Sequence, residues 1–328
     1  MADAESPGSD RATEARTSDT RASEAFDLLG NETRLSILLA IWEDQVPLAD
    51  DNPVPFSRIF DRVDLDDPGN VSYHLEQLEG QFITQHTDRG GYELLIPGLK
   101  LVRTIVAGTG VSDATLEPTE LDQPCPLCGA PTEITYREGV VFLVCTECAG
   151  SAPGKADIDG ALNGMYFEPA GLTDRSPEQL YAASIATTLQ QARSLFNGVC
   201  PTCSGAVDGW LDCCPDHDPT DGCEQCGRLM GTFARFQCRV CKNFGVPNPG
   251  WLPLLHPAVI SFYDDHGVST RVQADDPESA RRVYSLIYDH EWERLSEDPP
   301  RIAVTAARDG DEIRLTFDET VSVVDVQR

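Results

Sequence analysis

CPTCSGAVDGWLDCCPDHDPTDGCEQCGRLMGTFARFQCRVC, residues 200–241, is the stretch on which the fold turns, because it is too short and too polar to form a core of its own. Six of its eight cysteines come in C-x2-C pairs, the spacing at which a tight turn points two thiolates at one metal ion. Taken in chain order, Cys200, Cys203, Cys214 and His217 form one site, and Cys223, Cys226, Cys238 and Cys241 form another. A cross-braced alternative joins 200/203 to 223/226 and 214/217 to 238/241. In either scheme the ligands are the same, and Cys213 is the odd thiol, able to replace Cys214. Upstream, Cys125-x2-Cys128-x16-Cys145-x2-Cys148 has the form of a zinc ribbon, two knuckles joined by a hairpin-sized segment. Three Zn2+ ions are therefore expected, each with four protein ligands and no open position. Such closed sites are structural, contributing folding energy that segments of this length lack. His217 is the one histidine of six expected to ligate. A glycine follows each first knuckle, at Gly129, Gly205 and Gly227.

Outward from these clusters the chain reads as α+β and multidomain. Residues 1–22 lack periodicity and read as a disordered tail. Residues 23–110 hold a three-helix and hairpin unit, 111–122 a linker, 123–149 the ribbon and 150–198 a linker plus a helix. Residues 199–246 hold the two further zinc modules, and 247–328 a small α+β domain. In the first unit Asn31 is placed to cap a helix with Leu35, Leu38, Leu39 and Trp42 on one face. Phe56, Ile59, Phe60 and Val63 repeat that spacing. After Asp66-Asp67-Pro68-Gly69, Asn70 is expected to cap a third helix with Val71, Leu75 and Leu78 inward. Strands over Phe82–Thr87 and Tyr92–Ile96 flank the turn Asp88-Arg89-Gly90-Gly91, and a helix follows from Pro97. Further on, Ser176-Pro177-Glu178-Gln179 is a capping box, and Pro257 and Asp276-Pro277 open two more helices. Strands over Arg301–Ala307 and Glu312–Phe317 surround Asp309-Gly310, and Val321–Val326 adds a third.

Helix, helix, break, helix and hairpin is the order of a winged helix-turn-helix, whose third helix enters the major groove while the hairpin rests on the backbone. The expected DNA contacts are Asn70, Ser72, Tyr73, Gln77 and Arg89. Asn31-Glu-Thr-Arg34 and Val71-Ser-Tyr-His-Leu75 with Leu78 resemble the ArsR-type winged-helix regulators, most closely the haloarchaeal versions. That resemblance covers roughly residues 24–110. It implies that Ser72 and Tyr73 face DNA, and that the helix around Leu101–Val106 joins a homodimer interface. Founding members sense metal through a Cys-x-Cys pair, whereas Phe56–Val63 holds neither Cys nor His, so sensing there is not implied. A winged helix followed by a four-cysteine ribbon is also similar to the alpha subunit of initiation factor E, which brings in the transcription machinery as a possible partner. A third reading is a zinc-stapled adaptor that never touches DNA.

Composition narrows the class. The formal net charge is −29, and the 25 basic residues include only three lysines, Lys100, Lys155 and Lys242. Such self-repulsion is tolerable where the Debye length is about 3 Å, in molar salt, which points to a halophilic archaeal cytoplasm. Residues 24–110 alone hold six basic and fifteen acidic side chains, net −9, so base contacts and shape must carry much of any DNA binding. Arg228, Arg235, Arg239 and Lys242, with Phe233, Phe236 and Phe244 among them, form a locally basic ribbon. It reads as a scaffold in preference to a phosphate-binding surface. No apolar leader or membrane-spanning stretch is recognised, and no nucleophile motif or phosphate-cradling loop, so no enzymatic activity is expected.

Overall fold

The computed structural model describes residues 23, 27–45, 53–151, 158–218 and 223–328; the expected tail over 1–22 lies outside them. The chain divides into two units, Met1–Val111 and Ser112–Arg328.

The first unit runs α1 (Glu32–Asp44), α2 (Phe56–Arg62), α3 (Pro68–Leu78), β1 (Ile83–His86), β2 (Gly91–Leu94) and α4 (Ile96–Val106). Asn31 caps α1, its side chain accepting from the Arg34 amide at 3.1 Å. The buried face of α1 is Ile37, Leu38, Ala40 and Ile41, not the face holding Leu35, Leu39 and Trp42, which are only half-buried. Apolar residues occupy nearly every position from Leu35 to Trp42, so periodicity alone could not choose between two adjacent stripes. Packing against α2, α3 and α4 chooses. Asp67, not Asn70, caps α3: its carboxylate accepts from the Gly69 amide at 2.9 Å, and Pro68 takes the first helical turn, where a missing N–H costs nothing. Asn70 is thereby drawn inside the helix. Val71, Leu75 and Leu78 are buried as the pattern requires, in one core with Ile37, Ile41, Ile59, Ile83 and Val102. The hairpin is antiparallel, with Ile83 opposite Leu94 and His86 opposite Gly91, and it gains a third partner in Val54, which exchanges both backbone hydrogen bonds with Tyr92 at 2.8 and 2.9 Å.

The described residues of the second unit form three antiparallel sheets. One is the meander β3 (Leu116–Leu121), β4 (Thr132–Arg137), β5 (Val140–Cys145) and β6 (Ala161–Tyr166). Helix α5 (Pro177–Phe196) follows, with the capping box in place: the Gln179 amide donates to Ser176 Oγ at 3.3 Å and the Ser176 amide to Gln179 Oε1 at 3.0 Å. Next come β7 (Val207–Cys213), β8 (Thr232–Cys238) and the short β9 (Phe244–Gly245), then a 3-10 turn over Pro249–Leu255. Helices α6 (Pro257–Asp265) and α7 (Pro277–Asp289) lead into β10 (Glu291–Glu297), β11 (Pro300–Arg308), β12 (Asp311–Phe317) and β13 (Val323–Gln327), paired in that order.

Three strands, β3, β6 and β10, therefore stand where sequence reading placed linker or nothing, and β7–β9 give a sheet to the region read only as zinc modules. β3 occupies the expected linker because Leu116–Leu121 carries only two apolar residues and pairs at an edge. β6 adds a fourth strand to the ribbon, and β10 hides in Glu-Trp-Glu-Arg-Leu-Ser-Glu, where alternate positions are half-buried and none fully. Separate ribbon, zinc and C-terminal domains were also expected, yet one core runs from Leu121 to Val321. The first half of α5 is buried on most sides, from Leu180 to Ile185, because sheets and helices cover it all round. Phe196 at its end meets Phe236 of β8 and Phe317 of β12, edge to face at 6.3 and 6.5 Å, tying the β7–β9 sheet to the C-terminal sheet. The Leu211 amide of β7 donates to the Glu319 carbonyl at 3.0 Å, and Arg294 reaches the Cys214 carbonyl at 3.2 Å. No described helix is long and apolar enough to cross a membrane.

Candidate metal centres

Each cluster is built from turns at strand ends. In the knuckle at Cys125 the Gly129 amide donates to the Cys125 carbonyl at 2.9 Å, and Cys125 N–H to the Ala130 carbonyl at 2.8 Å. The same ring of bonds recurs at Cys200 and Cys223, and at Cys238 the Cys238 N–H donates likewise to the Asn243 carbonyl at 2.8 Å. In every case the residue four beyond the first cysteine is left-handed: Gly129 (φ 79°), Ser204 (φ 60°), Gly227 (φ 65°) and Lys242 (φ 65°). Glycine is at home there at two of the four positions. Gly205, the glycine that follows the knuckle at Cys200, matters for closeness instead: a Cβ on it would lie 3.1 and 3.2 Å from the Cys238 and Cys203 sulfurs.

Three groups of four ligand atoms result, each lying within 4.8 Å of one another: Cys125, Cys128, Cys145 and Cys148; Cys200, Cys203, Cys238 and Cys241; and Cys214, His217, Cys223 and Cys226. All twelve residues expected to ligate are in them, and Cys214 is the one used, while Cys213 lies 3.7 Å from Thr232 Oγ1. Both expected partnerships within 200–241 are overturned. Cys200/203 pairs with 238/241, and the other four nest between. The reason is the strands. β7 and β8 are paired over seven residues each, from Val207 opposite Cys238 to Cys213 opposite Thr232. At about 3.3 Å per residue their ends stand about 20 Å apart, too far for Cys200/203 and Cys214/His217 to share an ion. One cluster closes each end of the hairpin.

The spacing suits a metal. Sulfurs lie 3.7 Å apart (Cys125–Cys148), 3.5 Å (Cys128–Cys145), 3.5 Å (Cys200–Cys241), 3.5 Å (Cys203–Cys238) and 3.9 Å (Cys214–Cys223). Disulfides need about 2.05 Å. Four sulfurs bound tetrahedrally at about 2.3 Å stand about 3.8 Å from one another. His217 approaches Cys226 through Nδ1 at 3.6 Å, while Nε2 donates to the Leu229 carbonyl at 3.0 Å, leaving the Nδ1 lone pair for an ion. Gly231 lies under that ring, where a Cβ would come within 2.5 Å of it.

Crowding splits the thiols. At Cys145 burial pushes the thiol up, but the amides of Cys148 and Glu147 outweigh it and the value falls to about 7. Burial likewise opposes the fall of Cys200 to about 6, driven by the Cys203 and Thr202 amides. The Asp218 and Cys226 amides bring Cys223 to about 6. Burial and the neighbouring sulfurs raise Cys148 to about 12 and Cys214 to about 11. At Cys241 the sulfurs of Cys203 and Cys200, with burial, overcome the lowering by the Asn243 amide and take it to about 12. Each site is thus ready to give up some protons and holds the rest because like charges crowd; a divalent cation removes that obstacle.

Of the expected DNA contacts, Tyr73 is 51 % exposed, Asn70 and Gln77 are exposed and Ser72 is half-buried, all on α3. Arg89, at the hairpin tip, is bonded to His86 Nδ1 at 2.7 Å, and His86 Nε2 to Glu93 at 2.8 Å. His74, in the same motif as Tyr73, is buried, and burial followed by the Arg34 charge lowers its pKa. The basic ribbon is largely neutralised: Arg235 and Arg228 share Asp212 at 2.6 and 3.6 Å, and Arg239 grips Asp208 through two nitrogens. A phosphate surface there is not what these arginines make.

Residues 122–323 match a family model described as a domain of unknown function (DUF7351), and residues 22–105 match another, DUF7347. The first match covers more than half of the chain and nearly the whole second unit. The chain belongs to the DUF7351 family. Within this member the family region contains all three clusters and the single core around α5, while the DUF7347 match covers the helices and hairpin of the first unit. Among curated proteins and solved structures, none matches the chain.

Proposed function

We propose that this chain is a DNA-binding transcriptional regulator of winged-helix, ArsR-like type, whose DUF7351 region is held together by three structural Zn2+ ions. The observation that carries the DNA reading is α3. It buries Val71, Leu75 and Leu78 and presents Tyr73 and Gln77 outward, between two helices and an antiparallel hairpin. Support for zinc is the donor set: two groups of four cysteines and one of three cysteines and a histidine, at tetrahedral spacing. Bound zinc does structural work here, because every ligand position is filled by protein. The composition fits a halophilic cytoplasm, where screening weakens phosphate attraction and side chains on α3 do the discriminating. A homodimer through α4 is part of the proposal.

Genome-wide occupancy of the tagged chain in a salt-loving host tests it at native salt. Discrete peaks sharing a sequence element, lost in the Tyr73→Ala variant with folding intact, are the expected outcome. Occupancy at most active promoters would replace it with a general-factor role in the transcription machinery, and no enrichment anywhere would leave the adaptor reading in its place.

A further inference from the structure

One cavity of the second unit has none of the twelve candidate metal ligands in its lining. It opens among β6, the second half of α5, the β8–β9 edge and the Pro249–Leu255 turn, and encloses about 300 Å3, at the small end of the range for small-molecule sites. Its lining is distinctive in this chain. Charged residues make up 24 % of the sequence, so twenty residues drawn at that rate would include about five. Of the twenty described residues that line the cavity, none is Asp, Glu, Lys, Arg or His. In their place stand aromatic rings and both methionines other than Met1, namely Met165 and Met230. Methionine adapts to irregular apolar shapes and favours contact with rings.

The mouth is aromatic too. Tyr166 and Phe244 meet edge to face at 6.1 Å, and both are at least half exposed, a costly placement for two large rings unless something packs on them. A few neutral polar groups complete the wall. Gln191 comes from α5, and Asn248 has its Oδ1 committed to the Gly250 amide at 3.0 Å, so its N–H2 is what it offers a guest. The walls are stiff. Phe236 and Phe244 belong to the sheet clasped between two clusters, and Met230 precedes the glycine that lies under His217. A preformed site loses little freedom on binding.

We propose that this cavity binds an uncharged, flat, mainly aromatic small molecule, held by ring and thioether contacts and oriented by one hydrogen bond from an amide side chain. Carboxylate and phosphate groups are excluded, because no cationic side chain among the described lining residues can pair with them once they leave water. The assignment stands on the cavity and does not depend on the DNA reading.

A matched pair of dyes tests it on the full zinc-loaded chain in molar KCl, where the long-range repulsion of the acidic surface is screened. N-phenyl-1-naphthylamine is neutral; 1-anilinonaphthalene-8-sulfonate is nearly the same molecule with a fixed negative charge. Fluorescence titration is expected to show one saturable site per chain for the neutral dye, with affinity at least tenfold weaker for the anionic one. Ala192→Trp, which fills the cavity from α5, is expected to abolish binding, and Phe244→Ala, a change at a half-exposed ring, to weaken it several-fold without shifting the melting transition. Absence of a saturable site, equal affinity for the two dyes, or unchanged binding in Phe244→Ala would overturn the proposal.

Discussion

His217 illustrates how much one side chain can be asked to do. Its Nε2 is fixed by the Leu229 carbonyl, its Nδ1 faces Cys226, and Gly231 leaves just enough room for its ring. Gly231→Ala places a methyl inside that space, so the ring must turn and the third site should weaken about 10–100-fold, as loss of orienting contacts does in metal sites. Competition with a chelator should show one ion released early and two unaffected. His290 is a different kind of histidine. Its Nδ1–H donates to the Gly250 carbonyl at 2.6 Å and its Nε2 accepts from the Tyr263 hydroxyl at 2.8 Å, which fixes it neutral. Burial brings its pKa down to about 4, against the opposing pull of that carbonyl. The unfolded chain binds a proton at this position below about 6.5 and the folded chain only below about 4, so stability falls as pH drops through that window, by about 3 kcal/mol in all. His290→Gln should flatten this part of the denaturation-against-pH curve relative to the parent; an unchanged slope would assign the acid sensitivity to metal loss alone.

At the scale of elements, the β7–β8 hairpin is where the partnership of the ligands is decided, and it offers a clean count. Cys203 and Cys241 are both exposed and belong to one cluster. In the double variant Cys203→Ser/Cys241→Ser, elemental analysis should find two ions per chain in place of three. Pairing in chain order would leave only one, since each substitution would then strike a different site. Ligand identity was legible in the sequence because C-x2-C spacing is a local property of a turn. Partnership was not, because it depends on which strands lie side by side, and no spacing records that. The same division runs through the helices. Ser176 and Gln179 announced a cap that is present, and the buried set Val71, Leu75 and Leu78 followed from period alone. For α1, where apolar residues are nearly continuous, the inward face waited on its neighbours. The strands β3, β6 and β10 escaped notice for a related reason: at sheet edges the ladder of backbone bonds supplies the order, and the side chains carry little alternation to read.

For the molecule as a whole, two quantities matter: the charge and the division into units. With a net charge of −29, repulsion opposes compaction, and raising KCl from about 0.1 M to molar levels shortens its range from about 10 Å to about 3 Å. The melting temperature should climb by several degrees over that interval, and a flat response would remove the argument for a high-salt setting. All three clusters lie in the second unit, as does the core from Leu121 to Val321. A chain reduced to residues 112–328 should therefore retain three metal ions and a single cooperative melting transition, while residues 1–111 should retain none. What the sequence hid at this scale was continuity. Cysteine clusters and the expected linkers suggested a string of modules, but Phe196 joins β8 to β12 by ring contacts that no linear reading records.

A hairpin with a short turn has its register set by that turn. The connection from Cys213 to Thr232 is far longer, and closing so long a loop gives the strands little guidance about which residues should face each other. A slip of one residue would turn every side chain of β8 to the opposite face and at the same time pull the knuckles at both ends out of reach of their partners. Ions bound at the two clusters would therefore act on alignment as well as on strength: an ion that finds four ligands at either end would report that the strands are in step, and a misaligned chain could not satisfy both at once. Metal loading of this chain would on that account be a check on correct folding, made twice along the same pair of strands.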